Sequence, residues 1–66
     1  MRNRIAELRR ARRISQAELA DAVDVTRQTI ISLEGGRYNA YLLLAHRISR
    51  YFGLTIEEVF LFEEET

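Results

Sequence analysis

The sequence predicts a small all-α domain of five helices, and three observations support this prediction. Apolar residues recur every three or four positions through most of the chain, which is the period of an amphipathic helix. A helix-start signal, a capping residue between two apolar residues that can pack across it, recurs along the chain. The 66 residues include no Pro, and the three Gly follow predicted helices. A single domain over residues 1–66 is therefore expected.

The first two helices are separated by a predicted cap. Apolar spacing places the first helix at about Asn3–Arg12. The second follows Ser15-Gln16-Ala17-Glu18, a capping box in which the Ser hydroxyl accepts from a free backbone N–H and the Glu carboxylate reaches back to the cap. Ile14 and Leu19 can pack across this cap as a hydrophobic staple. The helix is expected to run to about Ala22.

The third helix has equally clear limits. Thr26 is its predicted N-cap, with Val25 and Ile30 as the staple across the cap. Gly35-Gly36 is expected to end it, because Gly readily adopts the left-handed backbone found after helices.

Two more helices and one ambiguous segment complete the chain. Tyr38-Asn39 is predicted to open a fourth helix, with Leu43 as staple partner, and Gly53 to end it. Leu54-Thr55-Ile56-Glu57-Glu58-Val59 contains another capping box and opens a short fifth helix. Phe60-Leu61-Phe62 alternates in the manner of a short strand.

The charge of the chain is unevenly distributed. The formal net charge is zero, which by itself argues against a nucleic-acid partner. All ten basic residues are Arg, however, and all lie in residues 1–50 with only five acids, so that part carries +5. Residues 51–66 hold the other five acids and no base, and carry −5. The chain is a basic body with an acidic end.

Composition excludes several function classes. With no Cys and His46 as the only His, we expect no metal site and no cofactor. No apolar run approaches the roughly 20 residues of a membrane span, so no membrane partner and a cytoplasmic location are expected. No nucleophile–base pair or phosphate loop is present, and an enzyme is not expected. Without a separate ligand domain, no small-molecule ligand is evident.

The second and third helices form a predicted helix-turn-helix unit over about residues 15–34. This unit resembles the Cro/repressor-type family, the xenobiotic-response-element-like regulators of bacteria, archaea and phages. The resemblance covers residues 3–60. Its most specific part is the pattern Gln-x-x-Leu-Ala, Thr-x-Gln-x-Ile and Glu-x-Gly, carried by Gln16, Leu19, Ala20, Thr26, Gln28, Ile30, Glu34 and Gly36. It implies a lambda-repressor-like fold, double-stranded DNA as the partner and association with the nucleoid.

The function implied by this resemblance is sequence-specific DNA binding by a transcriptional regulator. The expected mode is a repressor that binds an inverted-repeat operator as a homodimer, with the third helix in the major groove. The alternative is an antitoxin-like or partner-binding module that uses the same fold mainly for protein contact.

The outer face of the third helix is predicted to read DNA bases. With Thr26 as the cap, Ile30 and Leu33 must face the core. The residues left for base edges are Arg27, Gln28, Ile31 and Ser32. Arg suits guanine and Gln suits adenine, while Ile31 either packs on a thymine methyl or completes the core. A merely solvated helix face is the alternative for the polar members.

A second group of residues is predicted to contact or approach phosphates: Gln16, Thr26, Thr29, Arg37, Tyr38, Asn39, Arg10 and Arg13. Gln16 lies at the positive end of the second helix, and in family members the equivalent Gln binds the DNA backbone and orients side chains of the recognition helix. Local roles remain as alternatives. Gln16 is also a good residue behind a cap, Tyr38 a staple residue, and Asn39 an N-cap for the fourth helix.

An Arg of the first helix commonly pairs with the Glu that ends the third helix in this family, and Arg9 and Glu34 match those positions. The pair is expected to be structural, locking the recognition helix to the scaffold. The other arginines near the first helix are expected on a solvated face: Arg2, Arg4, Arg10, Arg12 and Arg13.

The sequence departs from the family pattern at several positions. Arg13 and Asp24 stand where the family often has Gly, so positive φ is predicted at both. Ala40 replaces a usual Pro, which makes the start of the fourth helix less rigid. His46 is expected to be a core or interface histidine.

An apolar segment at about residues 56–62 is the predicted dimerisation surface, followed by an acidic tail at 63–66. Its members are Ile56, Phe60, Leu61 and Phe62. We expect Phe60–Phe62 to pair as a short strand across the two-fold axis of a homodimer. The alternative is a monomer in which Phe60 and Phe62 fold back onto their own first and fifth helices.

Overall fold

The computed structural model describes residues 2–37 and 40–62. Five helices follow one another in this part of the chain: α1 (Ile5–Ala11), α2 (Gln16–Ala22), α3 (Arg27–Glu34), α4 (Leu42–Phe52) and α5 (Ile56–Val59). The predicted all-α class is confirmed, because the only β pairing among these residues is an isolated bridge. No helix within this part of the chain is long and apolar enough to cross a lipid bilayer.

The predicted caps of α2, α3 and α5 are formed. Ser15 Oγ accepts from the backbone N–H of Glu18 at 3.0 Å, and a Glu18 carboxylate oxygen accepts from the Ser15 N–H at 2.7 Å. Thr55 and Glu58 make the same reciprocal pair at the start of α5. Thr26 accepts from the N–H of Thr29 at 3.3 Å. Local sequence alone therefore fixes where these three helices begin.

The hydrophobic core joins all five helices. Ile14, Val25 and Leu54, the residues predicted to lie just before three of the helices, pack against it. The largest fully buried side chains are Phe60, Ile5, Leu19, Ile30, Leu33, Leu44, Ile48 and Val59. Every helix contributes to this set, so the small domain depends on one shared core.

The fourth helix begins later than predicted. It starts at Leu42 with Tyr41 as N-cap, and no side chain caps it. Asn39 is therefore not the cap of this helix, and Asn39 itself lies outside the described residues. Leu43 is 50% exposed and is not a buried staple partner. No local capping signal marks the observed start, and the half-buried Ala40 just before it packs against the core.

The chain ends meet where a dimer strand was predicted. Asn3 and Phe60 form an isolated antiparallel bridge, flanked by hydrogen bonds from Arg4 N–H to Val59 O (2.8 Å) and from Leu61 N–H to Arg2 O (2.9 Å). Phe60 is only 1% exposed and belongs to the core. The prediction that Phe60 lies on a dimer surface is wrong, because its ring fills the core of its own chain.

Two of the arginines expected on a solvated face also bind backbone carbonyls of distant helices. Arg12 donates to the carbonyl oxygens of Tyr51 (3.0 Å) and Phe52 (3.1 Å), at the end of α4. Its guanidinium also lies 5.5 Å and 5.1 Å from the centres of their two rings. Arg4 donates to the carbonyl oxygen of Glu58 at 3.1 Å. These bonds satisfy carbonyls that helix ends leave free.

The predicted positive φ angles are confirmed at Arg13 (58°) and Asp24 (64°). Both residues follow helices at positions where a left-handed backbone lets the chain turn into the next element. Such a conformation costs an ordinary L-residue about 1–2 kcal/mol and costs Asp less.

Replacing either residue by Gly is expected to raise stability by up to about 1 kcal/mol or leave it unchanged, since relief of strain competes with greater freedom of the unfolded chain. Thermal unfolding of Arg13→Gly and Asp24→Gly measures this. Gly53→Ala is the matched control, because Gly53 has φ 71° and no atom lies within 4 Å of the added Cβ. It should lower stability by about 1 kcal/mol. A clear loss of stability in Asp24→Gly would contradict the strain argument.

Candidate nucleic-acid interface

Helices α2 and α3 form a helix-turn-helix unit with a short buried connection. Val23 is buried after α2, and Asp24 turns the backbone through its positive φ. The N–H of Val25 then donates to the carbonyl oxygen of Ala20 at 2.9 Å. α2 and α3 are also the most extensively packed pair of helices among the described residues. The connection therefore fixes the angle at which α3 leaves α2.

Helix α3 has one buried face and one exposed face. Ile30 and Leu33 lie in the core. Arg27 and Gln28, in the first turn, are exposed, and neither makes an ion pair or side-chain hydrogen bond within residues 2–37 and 40–62. Ile31 lies between these faces: it is half-buried but is not packed in the core cluster. The polar end of α3 can therefore reach a ligand without breaking an internal contact.

The other residues predicted to contact DNA from α3 and its N-cap are partly buried or already hydrogen-bonded within the chain. Ser32 is half-buried on the same helix. Thr26 and Thr29 face each other with their hydroxyl oxygens 3.0 Å apart, and Thr26 also caps the helix. Their hydroxyls lie at the positive end of α3, where a phosphate oxygen is favoured.

The carboxylate of Glu34, at the other end of α3, is held by α1 and α2 together. Arg9 donates to it twice, from Nε at 2.7 Å and from Nη2 at 3.2 Å. Gln16 donates from its side-chain amide to Glu34 Oε1 at 3.1 Å. Arg9 also donates to the carbonyl oxygen of Ile14 at 3.1 Å. We call Arg9, Gln16 and Glu34 the Glu34 cluster.

The Glu34 cluster is largely shielded from water. The side chains of Arg9 and Glu34 are 12% and 9% exposed. Burial by itself would raise the pKa of Glu34, but the hydrogen bonds from Arg9 and Gln16, with the charges of Arg9 and Arg10, outweigh it and lower the pKa. The hydrogen bond to Glu34 raises the pKa of Arg9 against the effect of burial. Both groups are therefore held in their charged forms.

The structure identifies Glu34 as the side chain that Gln16 contacts on the third helix. The family resemblance implies that Gln16 orients side chains of this helix without saying which, and it gives Arg9–Glu34 as a separate pair. In the structure all three side chains meet. One amide N–H of Gln16 is used in this contact. Its amide oxygen and other N–H make no hydrogen bond within the described part of the chain. Gln16 can therefore contact a phosphate while still bonded to the recognition helix.

The predicted phosphate arginines are exposed. Arg10 and Arg13 lie near the end of α1, and Arg37 follows α3. The backbone of Arg37 is fixed by its N–H bond to the carbonyl oxygen of Ser32 at 3.1 Å. None of the three guanidinium groups forms an ion pair among the described residues. Tyr38 and Asn39, the other predicted phosphate contacts, lie outside those residues.

Two surface features were missed or misjudged from the sequence. His46 is exposed, so of the two positions predicted for it, core or interface, the core is wrong. It lines a shallow depression between α2 and α4, beside Arg47 and Arg50. Tyr41 and Leu42, at the start of α4, are exposed although apolar. The sequence signals helix there but does not reveal which side of it faces the core.

Comparison with known proteins agrees with this architecture. A family model described as helix-turn-helix matches residues 5–59. A Methanothermobacter thermautotrophicus protein, named as an uncharacterized HTH-type transcriptional regulator, is 52% identical over 66 positions, covering 98% of this chain and 96% of its own. Proteins of the same description from Archaeoglobus fulgidus (49% identical; 98% and 92% covered) and Bacillus subtilis (45%; 98% and 98%) are also similar.

Breaking the Glu34 cluster should destabilise the fold and change its response to acid. Arg9→Met leaves a buried carboxylate without its cation and should cost about 3 kcal/mol in denaturant unfolding. In the folded chain the pKa of Glu34 lies below its value in the unfolded chain, which is about 4.3. Ionised Glu34 therefore favours folding above that pH, and this contribution is lost as the pH falls through the folded-state pKa.

Stability measured between neutral pH and pH 3 checks the acid response. Glu34→Gln should lose less stability than the wild type as the pH falls across this range, because its side chain does not titrate. Glu57→Gln, at an exposed carboxylate with no side-chain hydrogen bond or ion pair among the described residues, is the matched control and should follow the wild type. Parallel pH curves for the wild type and Glu34→Gln would contradict the assignment.

Proposed function

Since the chain belongs to the Cro/repressor-type helix-turn-helix family, whose members regulate transcription by binding DNA and are not enzymes, we propose that it is a repressor. It binds an inverted-repeat operator as a homodimer and blocks transcription by occupying the site. The whole of residues 1–66 acts as one DNA-binding domain.

The observation that carries this proposal is the contrast between the two ends of α3. Its C-terminal end is fixed by the Glu34 cluster, while Arg27 and Gln28 at its N-terminal end are exposed and free to bind. A helix-turn-helix unit presents this end of its recognition helix to base edges in the major groove. Arg27 suits the O6 and N7 acceptors of guanine, and Gln28 suits adenine. Ser32 and Ile31 follow on the same helix for the next bases.

Contacts on both sides of α3 would position it on the DNA backbone. Gln16 begins α2, where free N–H groups and the helix dipole favour a phosphate. Thr26 and Thr29 offer hydroxyls at the start of α3. Arg37 lies beyond its end, with Tyr38 and Asn39 next in sequence, and Arg10 and Arg13 add positive charge from α1. Phosphate contacts of this kind fix the register without reading sequence.

Two copies are needed because one helix-turn-helix unit reads only a few base pairs. Half-sites one helical turn apart place two recognition helices about 34 Å apart. The basic part of each chain would then face the DNA, with the acidic residues 51–66 turned away from the phosphates. With Phe60 in the core, the predicted C-terminal surface is reduced to Ile56, Leu61 and Phe62.

Removing the base contacts should abolish operator preference. Arg27→Ala and Gln28→Ala should each reduce discrimination between the operator and unrelated DNA by about 1–3 kcal/mol, because each removes a bidentate contact. Titration of DNA selected from a random pool by the wild type measures this. Arg50→Ala removes an exposed arginine of α4 with no assigned contact and should bind as the wild type does. Unchanged discrimination in both α3 variants would refute the base-contact assignment.

Removing a phosphate contact should have a different signature. Arg37→Ala should weaken binding to operator and to unrelated DNA by the same factor. It should also reduce the slope of log affinity against log salt concentration by about 1, because one fewer counterion is released. Titrations at several salt concentrations check both effects. A loss confined to the operator would instead make Arg37 a base contact.

A further inference from the structure

Asn3 joins three separate parts of the chain. Its amide oxygen accepts from the backbone N–H of Ile5 at 3.1 Å, one of the N–H groups that the start of α1 leaves free. Its amide nitrogen donates to the carbonyl oxygen of Leu33 at 2.8 Å, in the last turn of α3. Its backbone lies opposite Phe60 in the isolated antiparallel bridge. A single residue therefore connects α1, the recognition helix and the C-terminal segment.

The bridge determines where the side chain of Asn3 points. Two backbone hydrogen bonds of 2.8 and 2.9 Å join residues 4 and 2 to residues 59 and 61, on either side of the bridge. Residues that lie opposite each other in an antiparallel pair carry their side chains on the same face. Phe60 is 1% exposed, so the side chain of Asn3 is directed toward the interior with it. Closure of the bridge therefore brings the amide of Asn3 to the end of α3.

The carbonyl group that Asn3 reaches has a second donor. The carbonyl oxygen of Leu33 also accepts from the backbone N–H of Gly36 at 3.0 Å. This bond belongs to the ordinary closure of a helix end, where Gly36 adopts a φ of 72°. The carbonyl would therefore keep a partner without Asn3. What Asn3 adds is a restraint between α3 and residues 2–4.

This restraint differs from the one that the Glu34 cluster provides. Arg9 and Gln16 hold the Glu34 side chain, whose rotatable bonds let the helix turn while the carboxylate stays bound. The carbonyl group of Leu33 instead belongs to the planar peptide backbone of α3, and Leu33 is itself 1% exposed. The hydrogen bond from Asn3 to this group therefore restrains the direction of the helix axis as well as the position of its end.

A small change of direction at this end of α3 matters at the other end. Arg27 begins α3 six positions before Leu33, which is about 9 Å along the helix. A turn of about 6° around the Leu33 end therefore moves Arg27 by roughly 1 Å. The lengths of N–H···O hydrogen bonds span only about 0.5 Å, so such a shift breaks a direct contact to a base.

We propose that Asn3 is a positioning residue for DNA reading, which makes the direction of α3, and so base discrimination, depend on closure of the bridge. The proposal rests on the proposed binding of DNA through α3, and Asn3 acts through that helix rather than by touching DNA. Base contacts require a correct direction of α3, whereas attraction to phosphates does not. Loss of the bond to Leu33 should therefore weaken operator preference and leave binding to unrelated DNA intact.

Asn3→Ser removes this bond selectively. A Ser hydroxyl can still accept from the N–H of Ile5, but it lies one bond short of the amide nitrogen that reaches Leu33. The variant is titrated with the operator, selected from a random pool by the wild type, and with unrelated DNA. The ratio of the two affinities should fall about 3- to 30-fold. The affinity for unrelated DNA and its dependence on salt concentration should match those of the wild type.

Thr55→Ala is the matched control, because it removes the hydrogen bond that caps α5 and lowers stability without changing the contacts of α3. Its operator preference should equal that of the wild type. Asn3→Asp serves if the Ser variant does not fold: it keeps the acceptor for Ile5, loses the donor, and places a favourable charge at the start of α1. Its affinity ratio should also fall. Equal losses in Thr55→Ala and Asn3→Ser, or an unchanged ratio in the Asn3 variants, would overturn the proposal.

Residual dipolar couplings of the free protein measure the direction of α3 without DNA. In Asn3→Ser the amide couplings of α3 should fit a helix turned by about 6° or more relative to α4, or averaged over several directions, while those of α4 stay unchanged. Couplings of α3 that match the wild type would refute the positioning role. Absence of wild-type binding to any DNA would instead refute the proposed function, and the couplings would still decide whether Asn3 directs α3.

Discussion

The orientation of α3 depends on one carboxylate. Glu34 ends α3 and receives hydrogen bonds from Arg9 on α1 and from Gln16 on α2, so three helices meet at a single side chain. A second contact lies beside it, because the Asn3 side chain donates to the carbonyl oxygen of Leu33 at 2.8 Å. Both contacts hold the C-terminal end of α3. The exposed N-terminal end is thereby left at a fixed angle and free to bind.

The same cluster connects two parts of the proposed DNA interface. Gln16 lies at the start of α2, where a phosphate would bind, and its amide is bonded to the helix that carries Arg27 and Gln28. In the proposed complex, contact with the backbone and contact with bases would therefore be made by one unit. Phosphate contacts that position such a unit also determine which bases its recognition helix can reach.

A domain of 66 residues has a small hydrophobic core. Contacts between distant parts of the chain add to the stability that this core provides. Asn3 pairs with Phe60, and Arg12 binds the carbonyl oxygens that end α4. These contacts place the ring of Phe60 inside the core. Among the described residues, the large apolar side chains left exposed lie mainly at the start of α4. Half of the acidic residues of the chain lie in residues 51–66.

The sequence by itself determined the features that depend on neighbours along the chain. The caps at Ser15, Thr26 and Thr55 follow from local backbone chemistry, so the order of the helices was predictable. The positive φ of Asp24 was predictable from the family resemblance, because the family often has Gly at that position. The tertiary structure decided what depends on distant partners. It set the late start of α4 and the burial of Phe60, because each depends on packing against the shared core rather than on local preference. It also joined Gln16 to Glu34 through the packing of α2 on α3, a contact between residues 18 positions apart.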